Sequence, residues 1–259
     1  MTTGAGNTAV GYEAGTTLTT AANTTAIGYE ALTALTTGNN NTAVGKEAAE
    51  AITTGADNTA IGKGALGANT TASNNTALGS SALAANTTSP NNVAVGYGTL
   101  DAQTTGAGYN VALGYNAMTA NTSGTENTAA GWNALGANTT GSFNIAFGGG
   151  ALDANTTASN NSAVGFGALS TNSTGTSNTA VGYKALNLNA TTNQNTAIGY
   201  NALTANTAGN NTAVGNQAME ANTTGNINVA VGDESLADNT TGASNIAIGY
   251  RALYVNTTG

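Results

Sequence analysis

The sequence contains neither cysteine nor histidine, and only one proline and four basic residues occur among its 259 positions. Without cysteine it has no disulfide framework and no thiolate metal site. Without histidine it lacks the commonest general base and zinc ligand. Four lysine and arginine residues in a chain of net charge −8 cannot neutralise a nucleic-acid backbone. We therefore expect no enzymatic activity, no cofactor, no metal site and no nucleic-acid partner.

Long apolar runs are also missing, so no segment is predicted to insert into a membrane. Met1 is not followed by a basic segment and an apolar stretch, so no signal peptide is predicted. Charged residues make up 6% of the chain, against roughly 25% in ordinary soluble domains. Hydrophobic residues make up 40% and recur at fixed intervals, which argues against disorder.

The fixed interval is a repeat that covers nearly the whole chain. Each copy contains an Ala-aliphatic-Gly triplet, whose glycine is called here the anchor glycine. The fifteen anchors are Gly11, Gly28, Gly45, Gly62, Gly79, Gly96, Gly114, Gly131, Gly148, Gly165, Gly182, Gly199, Gly215, Gly232 and Gly249. Twelve of the intervals are 17 residues, the one before Gly114 is 18, and the one before Gly215 is 16. No linker or change of composition interrupts the pattern, which predicts a single repeat domain over residues 1–259.

A 17-residue unit is too short for a helical repeat, and its Thr, Asn and Gly residues are poor helix formers. Segments such as Thr8-Ala9-Val10 instead favour short strands. We expect an all-β fold, a parallel β-solenoid or β-roll of about fifteen 17-residue coils. Each coil is expected to have two short extended segments, one with the aliphatic residue before the anchor glycine and one with the leucine four residues after it. Both aliphatic residues are expected to point inward.

Small and amide residues recur as strictly as the aliphatic ones. Alanine lies two residues before every anchor glycine, which indicates close packing, and we expect this alanine face to pack against other chains. Asparagine lies four residues before the anchor in fourteen copies and seven after it in eleven. Asparagine tolerates left-handed turns, and asparagines stacked in register can form amide ladders. Because the core of one coil is thin, we expect a homo-oligomer, most simply a trimer.

The string Asn-Thr-Ala-Val-Gly at residues 7–11, 41–45 and 178–182, together with its isoleucine variant at residues 58–62, resembles the head repeats of YadA-like trimeric autotransporter adhesins. The longer unit at residues 195–207 is similar to repeats of bacteriophage tail fibres. The resemblance implies a left-handed β-roll, three chains wound together, and an extracellular fibre. The 17-residue coils are longer than the usual adhesin head repeat, and the stalk, membrane barrel and fibre chaperone domain of those families are missing. The pattern starts and stops part-way through a repeat, which predicts a fibre fragment or a subunit that stacks end to end.

The position directly after the anchor glycine is variable but often aromatic. Its nine aromatic residues are Tyr12, Tyr29, Tyr97, Tyr115, Trp132, Phe166, Tyr183, Tyr200 and Tyr250. One hypothesis is a stacked ladder that shields the edge of the solenoid. The other is a row of exposed rings that contacts a glycan or a protein receptor. Both remain open from the sequence.

The sequence thus predicts a structural extracellular fibre or fibre segment, on a virion or a cell surface, that acts as rigid spacer and adhesion element. The alternative is an end-to-end self-assembling filament subunit. An ice-binding solenoid is less favoured, because the paired threonines that follow the second asparagine, as in Thr70-Thr71, would point to opposite faces of a strand.

Overall fold

The computed structural model describes residues 4–258, and all of its regular elements are strands. The chain divides into two compact units, with the boundary after Asn127. The first unit contains seven strands: β1 (Thr8–Val10), β2 (Thr25–Ile27), β3 (Thr42–Val44), β4 (Thr59–Ile61), β5 (Thr76–Leu78), β6 (Val93–Val95) and β7 (Val111–Leu113). The second contains eight: β8 (Thr128–Ala130), β9 (Ile145–Phe147), β10 (Ser162–Val164), β11 (Thr179–Val181), β12 (Thr196–Ile198), β13 (Thr212–Val214), β14 (Val229–Val231) and β15 (Ile246–Ile248).

Within each unit, consecutive strands lie side by side, parallel and in register. Thr8 pairs with Thr25, for example, and Ser162 with Thr179. Each 17-residue coil therefore stacks on the next, and the predicted all-β parallel solenoid is confirmed. The single domain over 1–259 stays a prediction, and its ends, residues 1–3 and 259, lie outside the described residues.

The two irregular intervals do not disturb the register. Val93 still pairs with Val111 across the 18-residue coil, and Thr196 with Thr212 across the 16-residue coil. Both changes of length fall in the same segment. It runs from the asparagine seven residues after one anchor glycine to the asparagine four residues before the next, and these two are normally six residues apart. The segment becomes longer between Gln103 and Asn110 and shorter between Asn206 and Asn211. Length changes are tolerated there because that segment is a corner between ladders and not a strand.

The residues of each strand point in the opposite directions from those expected from the sequence. The middle residue of the strand, such as Ala26 or Ala77, is fully buried. The aliphatic residue that follows it points outward, and Ile27 is 38% and Leu78 44% exposed. The expectations that this aliphatic residue points inward and that the alanine packs against other chains were therefore wrong. The narrow interior of the coil accepts a methyl group at this position, so the larger side chain takes the outer face.

The segment that carries the leucine is also not a strand, contrary to expectation. Glu30 and Leu32 have φ angles of 54° and 50°, in the left-handed region that non-glycine residues seldom adopt. The amide of Glu30 donates to the Tyr12 carbonyl at 2.8 Å, in the coil before, and the amide of Leu32 to the Ala48 carbonyl at 3.1 Å, in the coil after. The chain thus curves sharply while its amides still pair with neighbouring coils. Leu32 itself is fully buried, as predicted.

The predicted asparagine ladders are present in both units. At the position four residues before the anchor glycine, the Oδ1 atom of Asn41 accepts a hydrogen bond from the backbone N–H of Asn58 at 3.0 Å. Seven residues after the anchor, the Nδ2 atom of Asn172 donates to Oδ1 of Asn155 at 3.1 Å. These four side chains are buried, and the ladders satisfy their polar atoms inside the coils, except for the Oδ1 atom of Asn172, which has no hydrogen-bond partner among the described residues. The left-handed conformation belongs to the preceding residue, such as Asn40 with φ 58°, and not to the ladder asparagine.

Candidate contact surface along the aromatic column

The anchor glycine fixes where the aromatic column begins. Gly28 has a φ of 139°, and a Cβ atom there would lie 2.3 Å from the carbonyl oxygen of Gly45 in the next coil. Only glycine fits, because both the dihedral angle and the close approach exclude a side chain. The residue after the glycine then projects outward at the same place in each coil.

All nine predicted aromatic residues are exposed, from 41% at Tyr183 to 68% at Tyr250. Where aromatic residues follow each other in adjacent coils of one unit, their rings stack nearly parallel. The centroid distances are 5.1 Å for Tyr12–Tyr29, 5.6 Å for Tyr97–Tyr115, 5.9 Å for Phe166–Tyr183 and 5.3 Å for Tyr183–Tyr200. The two hypotheses are thus compatible in geometry, since the rings form a ladder and still face solvent.

Two of the nine stand apart from these stacks. Gly149 takes the place of an aromatic residue in the coil after Trp132, so within its own unit Trp132 has no ring stacked on it. The Trp132 side chain is 59% exposed. Tyr250 follows Asp233 in the column and packs instead beneath the Arg251 guanidinium, 5.2 Å from the ring centroid. Tyr250 is the most exposed of the nine rings, at 68%, whereas the exposure of Trp132 is close to the 61% of Tyr12 in the first stack.

Three of the four cationic side chains lie on rings of the column. Lys46 Nζ is 5.3 Å from the Tyr29 centroid, and Lys184 Nζ is 5.4 Å from the Tyr183 centroid. Lys46 also pairs with Glu47 at 3.1 Å, and Arg251 with Glu234 at 2.5 Å. These positive charges are already engaged, so the column has little free charge with which to attract an anionic partner.

Acidic residues line one edge of the first stacked pair. A hydrogen bond to the Glu13 carboxylate raises the pKa of the Tyr12 hydroxyl, and Glu30 has the same effect on the pKa of Tyr29. Farther round the coil, the carboxylates of Glu30, Glu47 and Glu50 come within 4.8 Å of one another. Burial, together with the charges of Glu47 and Glu30, raises the pKa of Glu50. The sequence analysis did not identify this trio, because its members lie 17 and 3 residues apart at variable positions.

Two sets of exposed apolar residues were not predicted from the sequence. One set is the outward aliphatic residues of the strands, and the other is three residues with left-handed backbone conformation. Tyr109, Phe143 and Ile227 lie five residues before an anchor glycine and are more than half exposed, with φ near 60°. Most other copies have Asn, Asp, Gly or Ser at this position, residues typical of turns. Large apolar residues at a turn position were the signal that could have located them.

Comparisons with known proteins add no relationship to this geometry: no protein-family model, curated protein or solved structure matches the chain. The described residues contain no helix with the length and apolar character needed to cross a membrane.

Proposed function

We propose that the chain is a structural extracellular fibre or fibre segment of the phage tail-fibre or surface-adhesin type, which acts as a spacer and as an adhesion element. The observation that carries the proposal is the column of exposed aromatic rings held in register by a hydrogen-bonded stack of coils. The stack supplies an ordered support. The column supplies the contact surface.

The support is ordered by repetition. The coils contribute strand hydrogen bonds and left-handed turn hydrogen bonds, and most of them also contribute to the asparagine ladders. Each of these sets connects a coil to its neighbours within the unit. In solenoids each repeat is stabilised mainly by its neighbours. Spacing between a surface and a target is therefore a natural use of this architecture.

The contact surface suits a partner recognised by ring packing and hydrogen bonds. Tyr and Trp are enriched at interfaces because one side chain offers a large apolar area and a polar group. Three of the four cations already lie on rings of the column, so ionic recognition of an acidic partner is disfavoured. The partner proposed here is a neutral cell-surface glycan or a protein receptor, outside the cell.

Binding to glycan arrays and to intact cells tests the proposal, with fluorescently labelled full chain as the probe. We expect binding that weakens at least tenfold in the Trp132→Ser and Tyr183→Ser/Tyr200→Ser variants. The matched controls are Lys63→Ser and Asn216→Ser, which occupy the same column without a ring. A wild-type chain that binds neither array nor cells, or controls that lose as much as the ring variants, would refute it.

The alternative that we propose is a subunit of an end-to-end filament. Leu253 is 49% exposed, whereas Leu236, at the same place one coil earlier, is fully buried. Ala9 is likewise exposed, although the equivalent Ala26 is buried. A coil from another copy would cover both surfaces. Electron micrographs of the purified chain distinguish continuous filaments, which favour this alternative, from discrete particles, which oppose it.

A further inference from the structure

The outward side of the strands is an apolar surface with no role in the folded coil. It consists of the first and third residues of each strand, such as Thr25 and Ile27 in β2, and is called here the outer strand face. Its aliphatic members are substantially exposed: 38% at Ile61, 44% at Leu78, 40% at Ile198 and 59% at Phe147. Water therefore contacts a column of apolar side chains, which are large in every strand except β8, where the position is Ala130.

The outer strand face is also free of charge. At the first and third positions of all fifteen strands, every residue is Thr, Ser or an apolar residue. The twelve acidic residues of the chain all lie at other positions of the coil. Contiguous apolar patches of several hundred Å² are rare on monomers and mark interfaces.

Within each unit the face is a sizeable surface patch. Strands about 10 Å long and about 4.8 Å apart give roughly 340 Å² for the seven strands of the first unit and roughly 380 Å² for the eight strands of the second. A standard interface buries about 800 Å² on each partner, so the face of either unit supplies roughly half of that area. The neighbouring aromatic column lies two residues farther along the chain and extends the apolar surface.

The shape and charge of the face match another copy of the same chain. Its side chains form ridges that repeat once per coil, and only a surface with the same spacing can place a groove opposite every ridge. Two chains of net charge −8 repel each other wherever their acids meet. A charge-free face is the part of this surface on which two copies can pack without bringing carboxylates together.

We propose that a second copy of this chain packs on the outer strand face. The sequence predicted a homo-oligomer with its interface at the strand alanines, but these alanines are buried within the coil. The interface proposed here instead consists of the aliphatic residues on the opposite side of the strands. It rests on the proposed structural role but not on receptor contact. Assembly and receptor binding can therefore fail separately.

Sedimentation equilibrium and native mass measurement of the full chain test this inference. The wild-type chain is expected to give a multiple of 25.0 kDa, and the Ile61→Lys/Leu78→Lys variant a single 25.0 kDa species. The matched control is Thr54→Lys/Thr71→Lys, which places two lysines one coil apart at exposed positions off the face. We expect this control to assemble like the wild type. Circular dichroism checks that each variant retains its strands.

A milder variant guards against misfolding. Ile61→Thr/Leu78→Thr places β-branched residues, which are suited to strands, at both positions and is expected to weaken assembly at least tenfold. A monomeric wild-type chain would overturn the inference, as would equal dissociation of the Thr54/Thr71 control. A monomer that produces thermal hysteresis would overturn it in favour of an ice-binding face.

Discussion

At the scale of single residues, two kinds of glycine with opposite requirements lie close together in one coil. Gly62 has φ 136°, and a Cβ atom there would lie 2.5 Å from the Gly79 carbonyl oxygen. Gly64 has φ 63°, and a Cβ atom there would meet no atom within 4 Å. Equivalent positions to Gly64 hold Glu47 and Ser81 with similar angles. The first glycine is thus required by the stack, and the second is replaceable.

The Gly62→Ala substitution is expected to lower the free energy of unfolding by about 3 kcal/mol, because strain and a backbone clash add together. Gly64→Ala is expected to cost about 1 kcal/mol, the ordinary penalty of a left-handed alanine. Urea denaturation followed by circular dichroism measures both. Equal losses in the two variants would contradict the assigned close approach at Gly62.

Glu50 is a residue whose titration should affect stability. Burial, with the nearby charges of Glu47 and Glu30, raises its pKa above the ordinary value of 4.5. The folded chain then binds the Glu50 proton more tightly than the unfolded chain does. This contribution therefore stabilises the fold as pH falls through the raised pKa toward 4.5, and it is lost as pH rises.

The Glu50→Gln variant is accordingly expected to unfold at a higher temperature than the wild type at pH 7. The difference should shrink as the pH falls through the raised pKa of Glu50, because this side chain then becomes neutral, as the glutamine is. Thermal melts across this pH range measure it, and Glu126→Gln, at an exposed acid, is the control. A Glu50→Gln variant less stable than the wild type at pH 7 would contradict the assigned repulsion.

At the scale of elements, the strand was predictable but its orientation was not. The alternation in Thr-Ala-Val indicates which residues share a side, but both sides of a three-residue strand contain apolar residues. Hydrophobicity favoured the aliphatic residue as the inward one. The invariant alanine was the better indicator, because a narrow interior excludes large side chains at every copy, whereas an outer position tolerates Val, Ile, Leu and Phe.

Leu83 and Leu78 test this orientation directly, since they lie in the same coil with opposite exposures of 0% and 44%. Leu83→Ala is expected to cost about 3 kcal/mol of unfolding free energy, as for buried leucines. Its backbone can hold an alanine, because Ala49 occupies the equivalent left-handed position. Leu78→Ala is expected to cost less than about 1 kcal/mol. Denaturant titrations in dilute solution, where assembly is minimal, compare the two, and a larger loss at Leu78 would restore the inward aliphatic column.

The candidate contact surface was partly predictable from the same regularity. The position after the anchor glycine located nine exposed rings but not those of Tyr109, Phe143 and Phe147. The repeat interval implied that neighbours such as Tyr183 and Tyr200 stack. The open face of Trp132 follows from Gly149 in the next copy. The carboxylate trio was not predictable, because it depends on how the left-handed turn directs Glu30, Glu47 and Glu50 toward one another.

At the scale of the whole molecule, a short repeat produces order through contacts between neighbouring coils. Within a unit, the three residues of each strand pair with the equivalent residues of the next coil. The same favourable contacts are therefore repeated along the chain. Length changes of one residue are absorbed in a corner without loss of register. The proposed assembly and receptor contact both depend on this stacking, since each uses a column that exists only when the coils are in register.

Engineered disulfides test the stacking most directly, because the chain has no cysteine of its own. Thr59 and Thr76 are register partners in adjacent coils, about 4.8 Å apart, within the range that a disulfide spans. Thr59 and Val93 are two coils apart, about 10 Å by the same spacing. Under mild oxidation, peptide mass spectrometry should find an intrachain disulfide in Thr59→Cys/Thr76→Cys and none in Thr59→Cys/Val93→Cys. Equal crosslinking of the two pairs, or crosslinking of the second alone, would contradict a stack of 17-residue coils.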